Sequence, residues 1–170
     1  MMLKLDLSEL NLQDALDLAI LIEREAEERY QIFVDQLGAV DGADFFAMMA
    51  RNEKAHGDEL KARRAKLFGD APTRVNEDMI QDVEAPEPRK TEPYISPRKA
   101  LEVAMESEVK AHDFFDQALP SIQDPEVKKL FEELRAEEVE HQELLERQKA
   151  RFPDSLEPDV DPDAVDTPAL

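Results

Sequence analysis

Ala50-Arg-Asn-Glu53-Lys-Ala-His56-Gly-Asp-Glu-Leu60 and Arg135-Ala-Glu-Glu138-Val-Glu-His141-Gln-Glu-Leu-Leu145 are the stretches whose reading decides the fold. Each carries a Glu-x-x-His, and the two copies lie 85 residues apart (53 to 138, 56 to 141). At that same offset Glu23 aligns with Glu108, with no insertion or deletion between the copies. The apolar surroundings keep register as well: Leu16 with Leu101, Ala19 with Ala104, Ala26 with Ala111, Tyr30 with Phe115, Phe46 with Phe131 and Leu60 with Leu145. The chain is therefore an internal repeat, each half offering a lone Glu and then a Glu-x-x-His thirty residues later (23 to 53, 108 to 138).

Hydrophobic periodicity around these residues predicts four long amphipathic helices, at about 12–37, 44–68, 97–119 and 125–152. Leu16, Ala19, Ile20, Glu23, Ala26, Tyr30, Phe33 and Leu37 recur at three- and four-residue steps, which puts Glu23 on the apolar face of the first. Glu53 and His56 are three apart and share a side of the second. Leu101, Ala104, Met105, Glu108, Ala111 and Phe115 line the third, and Phe131, Leu134, Glu138, His141 and Leu145 the fourth. The ends are marked by Asn11 as an N-cap, by Gly38 and Gly69 as stops, and by Ser96-Pro97 and Asp124-Pro125 as caps followed by proline.

Short connections near Gly38–Gly42 and Pro120–Asp124 make each pair of helices an antiparallel hairpin. Residues 69–96, with prolines at 72, 86, 88 and 93, are long enough to run the length of a bundle. The expected architecture is all-α: a ferritin-like four-helix bundle of two antiparallel hairpins joined by one long crossover. A short helix around Asn76 to Asp82 is placed on the crossover. Residues 1–11 are an N-terminal lead-in, extended over Leu3 to Leu10, 12–152 the helical domain, and 153–170 an acidic, proline-rich tail, solvated or a docking peptide.

Forty-one acidic residues against twenty-one basic ones give a net charge of −20. Nucleic acid and anionic membrane surfaces are repelled and cations attracted, and the plain consequence of such charge is solubility. The absence of cysteine excludes disulfides, iron–sulfur clusters and thiolate metal sites. No apolar stretch approaches the length of a membrane span, and no signal peptide is visible, so a cytoplasmic protein is expected.

The chemistry follows from the donor set. Four carboxylates near the middle of four helices lie at one level of an apolar core, where they must take up protons or recruit cations. Two divalent ions bring +4 against −4. Carboxylate and imidazole ligands without thiolate suit iron or manganese, and less selectively zinc. Glu23, Glu53, His56, Glu108, Glu138 and His141 are the expected metal ligands. Two of the three histidines in the chain take part at matched offsets, which a solvated Glu-rich helix face would not produce. Glu27 and His112 also align, one turn beyond Glu23 and Glu108; His112 reads as supporting the site or as a surface residue. Glu137, four before His141, competes with Glu138 as a ligand. Tyr30 could hydrogen-bond a ligating carboxylate or donate an electron, or be a plain core aromatic.

Four stretches carry a family resemblance: E23-R-E-A26-E-E-R-Y30, A-R-N-E53-K-A-H56, E108-V-K-A111-H-D-F-F115 and A-E-E138-V-E-H141. They resemble the rubrerythrin branch of the ferritin-like di-iron carboxylate proteins over roughly residues 12–152. The resemblance implies a centre of two iron ions (or Mn/Fe) that reacts with oxygen or hydrogen peroxide, in a homodimer or larger homo-oligomer. With the pseudo-twofold repeat, it implies Glu23 and His56 on one metal, Glu108 and His141 on the other, and Glu53 and Glu138 bridging. Two departures stand out. The rubredoxin-like cysteine domain is missing, and Ala111 stands where rubrerythrins carry a further Glu, so the chain is more similar to stand-alone, erythrin-type members. The implied activity is Fe(II) oxidation by oxygen or peroxide. Peroxide reduction with an external electron donor, and iron binding or storage without turnover, are the alternatives.

Overall fold

The computed structural model describes residues 6–39, 41–80, 83 and 95–152. Helices α1 (Leu12–Leu37), α2 (Ala43–Phe68), α3 (Pro97–Ala118) and α4 (Pro125–Lys149) form the bundle. α1 packs along α2 and α3 along α4, and the two hairpins close against each other. The fold is the expected all-α, ferritin-like four-helix bundle. Part of the crossover (81–82 and 84–94), the start of the lead-in and the tail (153–170) lie outside the described residues.

The helices begin where the local chemistry satisfies their first amide groups. Asn11 Oδ1 accepts from the Asp14 amide at 3.0 Å, and Ser96 Oγ from that of Lys99 at 3.1 Å. Asp124 Oδ1 takes the amides of Glu126 and Val127 at 2.8 and 3.3 Å. Each such cap is worth about 1 kcal/mol. Gly38 and Gly69 close α1 and α2 at φ of 61° and 55°, backbone that a side chain would strain. Single 3-10 turns occupy Leu7–Glu9, Glu77–Met79 and Leu119–Ser121. The described part of the lead-in is thus a turn where an extended segment is expected. Among the described crossover residues, the helical ones are Glu77–Met79; Asp82 is not described.

Arginines fasten the start of the crossover to α1. Arg64 pairs with Asp17 (Nε to Oδ1 2.8 Å) and donates to the carbonyl oxygens of Gly69 and Ala71. Arg74 pairs with the buried Asp14.

The apolar core is in two parts. One end holds Leu16, Leu18, Phe115, Leu130 and Phe131; the other holds Tyr30, Phe33, Phe46, Met49 and Leu101. Between them, at the waist, lies a layer of buried polar side chains. No described helix is long and apolar enough to cross a membrane.

Candidate metal centre

The waist gathers all six residues singled out by the repeat. Glu23, Glu53, Glu108, Glu138 and His141 are each at most 6% exposed. His56 keeps 27% of its side chain open. The two imidazoles stack at 5.5 Å between centroids, 12° from parallel. It is Nδ1 of each ring that faces the carboxylates.

Around His141 Nδ1 lie Glu53 Oε1 at 3.2 Å, Glu108 Oε2 at 3.4 Å and Glu138 Oε2 at 3.9 Å. Around His56 Nδ1 lie Glu23 Oε2 at 3.8 Å, Glu53 Oε2 at 3.9 Å and Glu137 Oε2 at 3.8 Å. Glu53 thus presents one oxygen to each histidine. Three overlapping donor sets can each hold an ion: Glu53–His56–His141, Glu23–His56–Glu137 and Glu108–Glu138–His141.

The electrostatics are those of a crowded, dry carboxylate cluster. Burial pushes the Glu23 carboxyl up to about 7. Burial, then the Glu108 charge, pushes Glu138 well above the carboxylate range. Glu108 is buried too, which by itself would raise it. His141, Glu138 and Tyr30 outweigh that and hold it below its ordinary value. His141 is depressed by burial but raised more by the Glu108 carboxylate facing it, whereas His56 is lowered, by burial and then by His141.

These groups fit cations. Glu23 Oε2 and Nδ1 of both histidines are buried without a hydrogen bond. Their lone pairs point into the same layer, and the donors are carboxylate and imidazole alone. Beside Glu23 and Glu108 a cavity of about 10 Å³, walled by Ala26 and Ala111, has room for about one water.

Other sequence candidates divide. The Tyr30 hydroxyl, buried, donates to Glu108 Oε1. Glu137 does not take the place of Glu138: it lies on the other side, against His56 and Glu23. Glu27 and His112 join none of the donor sets among the described residues, and His112 Nδ1 instead faces Asp113 at 3.2 Å. Sequence reasoning missed Arg29 and Ser107, both buried and lining the small cavity. Arg29 stands three after Ala26 and four before Phe33, a stripe position whose repeat mate is Phe114, and that spacing was the available signal.

The rubrerythrin family model matches residues 14–149, a span that holds every one of these donors. The chain belongs to the rubrerythrin family. Among solved structures, it is similar to an uncharacterised conserved protein from Magnetospirillum magnetotacticum. The identity is 31% over 85% of this chain and 97% of that one, with a TM-score of 0.70. A hypothetical protein from Pyrococcus furiosus shares the fold at 19% identity, 84% and 90% coverage and a TM-score of 0.61. No curated protein matches. Membership in the rubrerythrin family suggests a di-iron carboxylate protein, and this member has Glu/His clusters that could hold a metal ion.

Proposed function

We propose that this rubrerythrin-family chain binds two iron ions at the waist and oxidises Fe(II) with oxygen or hydrogen peroxide. Glu23 and His56 would hold one ion, Glu108 and His141 the other, with Glu53 and Glu138 between them. The observation that carries this reading is the pair of inward-facing Nδ1 atoms, each with three carboxylate oxygens within 3.2–3.9 Å, in an otherwise apolar core. When bound, two ferrous ions supply two electrons, enough to take oxygen to peroxide or peroxide to water.

The side chains have separable tasks. Glu108, held ionised, is a ready anionic donor, and Tyr30 fixes its orientation. Glu23 and Glu138 are raised by burial, so each tends to hold its proton in the metal-free chain and must release it as a cation arrives. Apolar residues above and below the waist shield the donors from water, except where His56 meets the surface. Tyr30, raised well above its ordinary value by burial and by Glu108 and Glu53, keeps its proton.

The test is anaerobic loading with Fe(II), elemental analysis, and then addition of oxygen or peroxide while the ferric absorption is followed. Close to two irons per chain with stoichiometric oxidation supports the proposal. Repeated peroxide turnover with an added reductant would transfer it to the peroxidase reading. No retained metal and no spectral change would sink it.

A further inference from the structure

The repeat makes the two half-sites look equivalent, and the structure shows that they are not. Its symmetry breaks at two positions that touch the donors. The first is Tyr30, whose mate is Phe115: the hydroxyl braces Glu108 on the His141 side, and no equivalent hydroxyl exists for Glu23. Accordingly Glu23 Oε2 is buried without a hydrogen bond. The second is Glu137, whose mate at the same offset is the neutral Asn52 (137 to 52). Glu137 Oε2 lies 3.8 Å from His56 Nδ1, the same distance as Glu23 Oε2 on the other flank.

Both breaks point the same way. The His141 side has three carboxylates that are fully buried. The His56 side has two buried carboxylates and one, Glu137, with 38% of its side chain open. Glu137 and His56 also line a cleft of about 220 Å³ between α2 and α4. Glu59 and Glu133 stand on its walls with Arg63, which faces Glu133 at 3.5 Å.

We propose that Glu137 is a seventh metal ligand, confined to the His56 side, and that the ion it holds is the exchangeable one, entering and leaving through the α2–α4 cleft. This rests on the two-metal reading above. An ion at Glu23–His56–Glu137 has one buried donor, Glu23, and two, His56 and Glu137, from side chains that line the cleft. Glu137 can meet a hydrated cation in the cleft, pass it to Glu23 and His56, and escort it out by the reverse movement. The ion at Glu108–Glu138–His141 has no such route and is held.

The experiment is anaerobic titration of the full chain with Co(II), read by calorimetry and visible absorption, followed by chelator stripping in stopped flow. Two ions per chain, one released fast and one slowly, are expected of the parent. Glu137→Gln should weaken only the fast-exchanging ion, by about 10- to 100-fold, and leave the slow one unchanged. Glu133→Gln keeps Glu137 but removes a charge from the cleft wall. It should slow loading without changing release. Equal release of both ions in the parent and in Glu137→Gln would overturn the inference while leaving the two-metal reading intact. A Glu133→Gln effect on release as large as that of Glu137→Gln would reduce Glu137 to a charge and overturn it as well. A parent that binds no ion at all overturns both. Because Glu137 is half-exposed, unchanged circular dichroism of its variant should confirm that folding is not the cause.

Discussion

The Tyr30 hydroxyl donates a hydrogen bond to Oε1 of Glu108, across the bundle from α1 to α3. It is a neutral donor to a buried carboxylate, and phenylalanine is already tolerated at the repeat-related position 115. Tyr30→Phe should therefore fold, with a loss of about 1–3 kcal/mol in the metal-free chain because Glu108 is left short of a donor. Urea midpoints in the presence of a chelator check this. The loss should shrink once metal is added, since a cation takes over the lone pair that the hydroxyl released.

Glu53 has an oxygen toward each histidine, and His141 anchors the closed side. Glu53→Ala and His141→Ala should each abolish the second bound iron and most Fe(II) oxidation. Glu27→Ala and His112→Ala should change neither, because those side chains join no donor set. Elemental analysis together with oxidation rates decides it, and parent-like oxidation in both Glu53→Ala and His141→Ala would place the chemistry elsewhere.

Burial raises Glu23 from 4.5 to about 7, so within that interval the folded, metal-free chain binds more protons than the unfolded one. Stability of the metal-free chain should therefore fall as pH rises through this window and level off above it. Glu138, raised by burial in the same direction, prolongs the fall. Glu23→Gln carries no charge to desolvate and should flatten the slope. Urea titrations in chelator at several pH values give the comparison, and a parent that gains stability over this range would contradict the burial argument.

Gly57 lies on α2 opposite Glu23, and a Cβ built there would meet Glu23 Cβ at 3.5 Å, ordinary contact. Gly57→Ala should fit and stabilise the helix by about 0.5–1 kcal/mol. A larger side chain has no such space: Gly57→Leu should force α1 from α2, move Glu23 and lower metal affinity on the His56 side. Thermal melting and metal content of the two variants separate these effects.

How much of this was written in the sequence depends on the kind of question. The caps at Asn11, Ser96 and Asp124 are local chemistry, and the helices start where that chemistry allows. The stripe through Glu23 is periodicity, and it buries as periodicity requires. Side-chain direction between neighbours on one helix was harder. Glu137 and Glu138 are adjacent, so they point about 100° apart. The stripe and the repeat put Glu138 in the core, but that Glu137 reaches His56 depends on the rotation of α4 against α2, a tertiary property that spacing does not encode. Arg29 is hard to place for a related reason: its charge says surface, and only its position between Ala26 and Phe33 on the stripe says core.

Two of the three donor sets mix the hairpins: Glu23 and His56 of α1 and α2 with Glu137 of α4, and Glu53 and His56 of α2 with His141 of α4. With cations bound as proposed, the halves of the repeat are cross-linked by their cargo as well as by leucine and phenylalanine. Without it, the seam carries facing carboxylates that repel. The cohesion of the bundle then rises and falls with the free metal around it, which makes resistance to unfolding or proteolysis a gauge of metal supply.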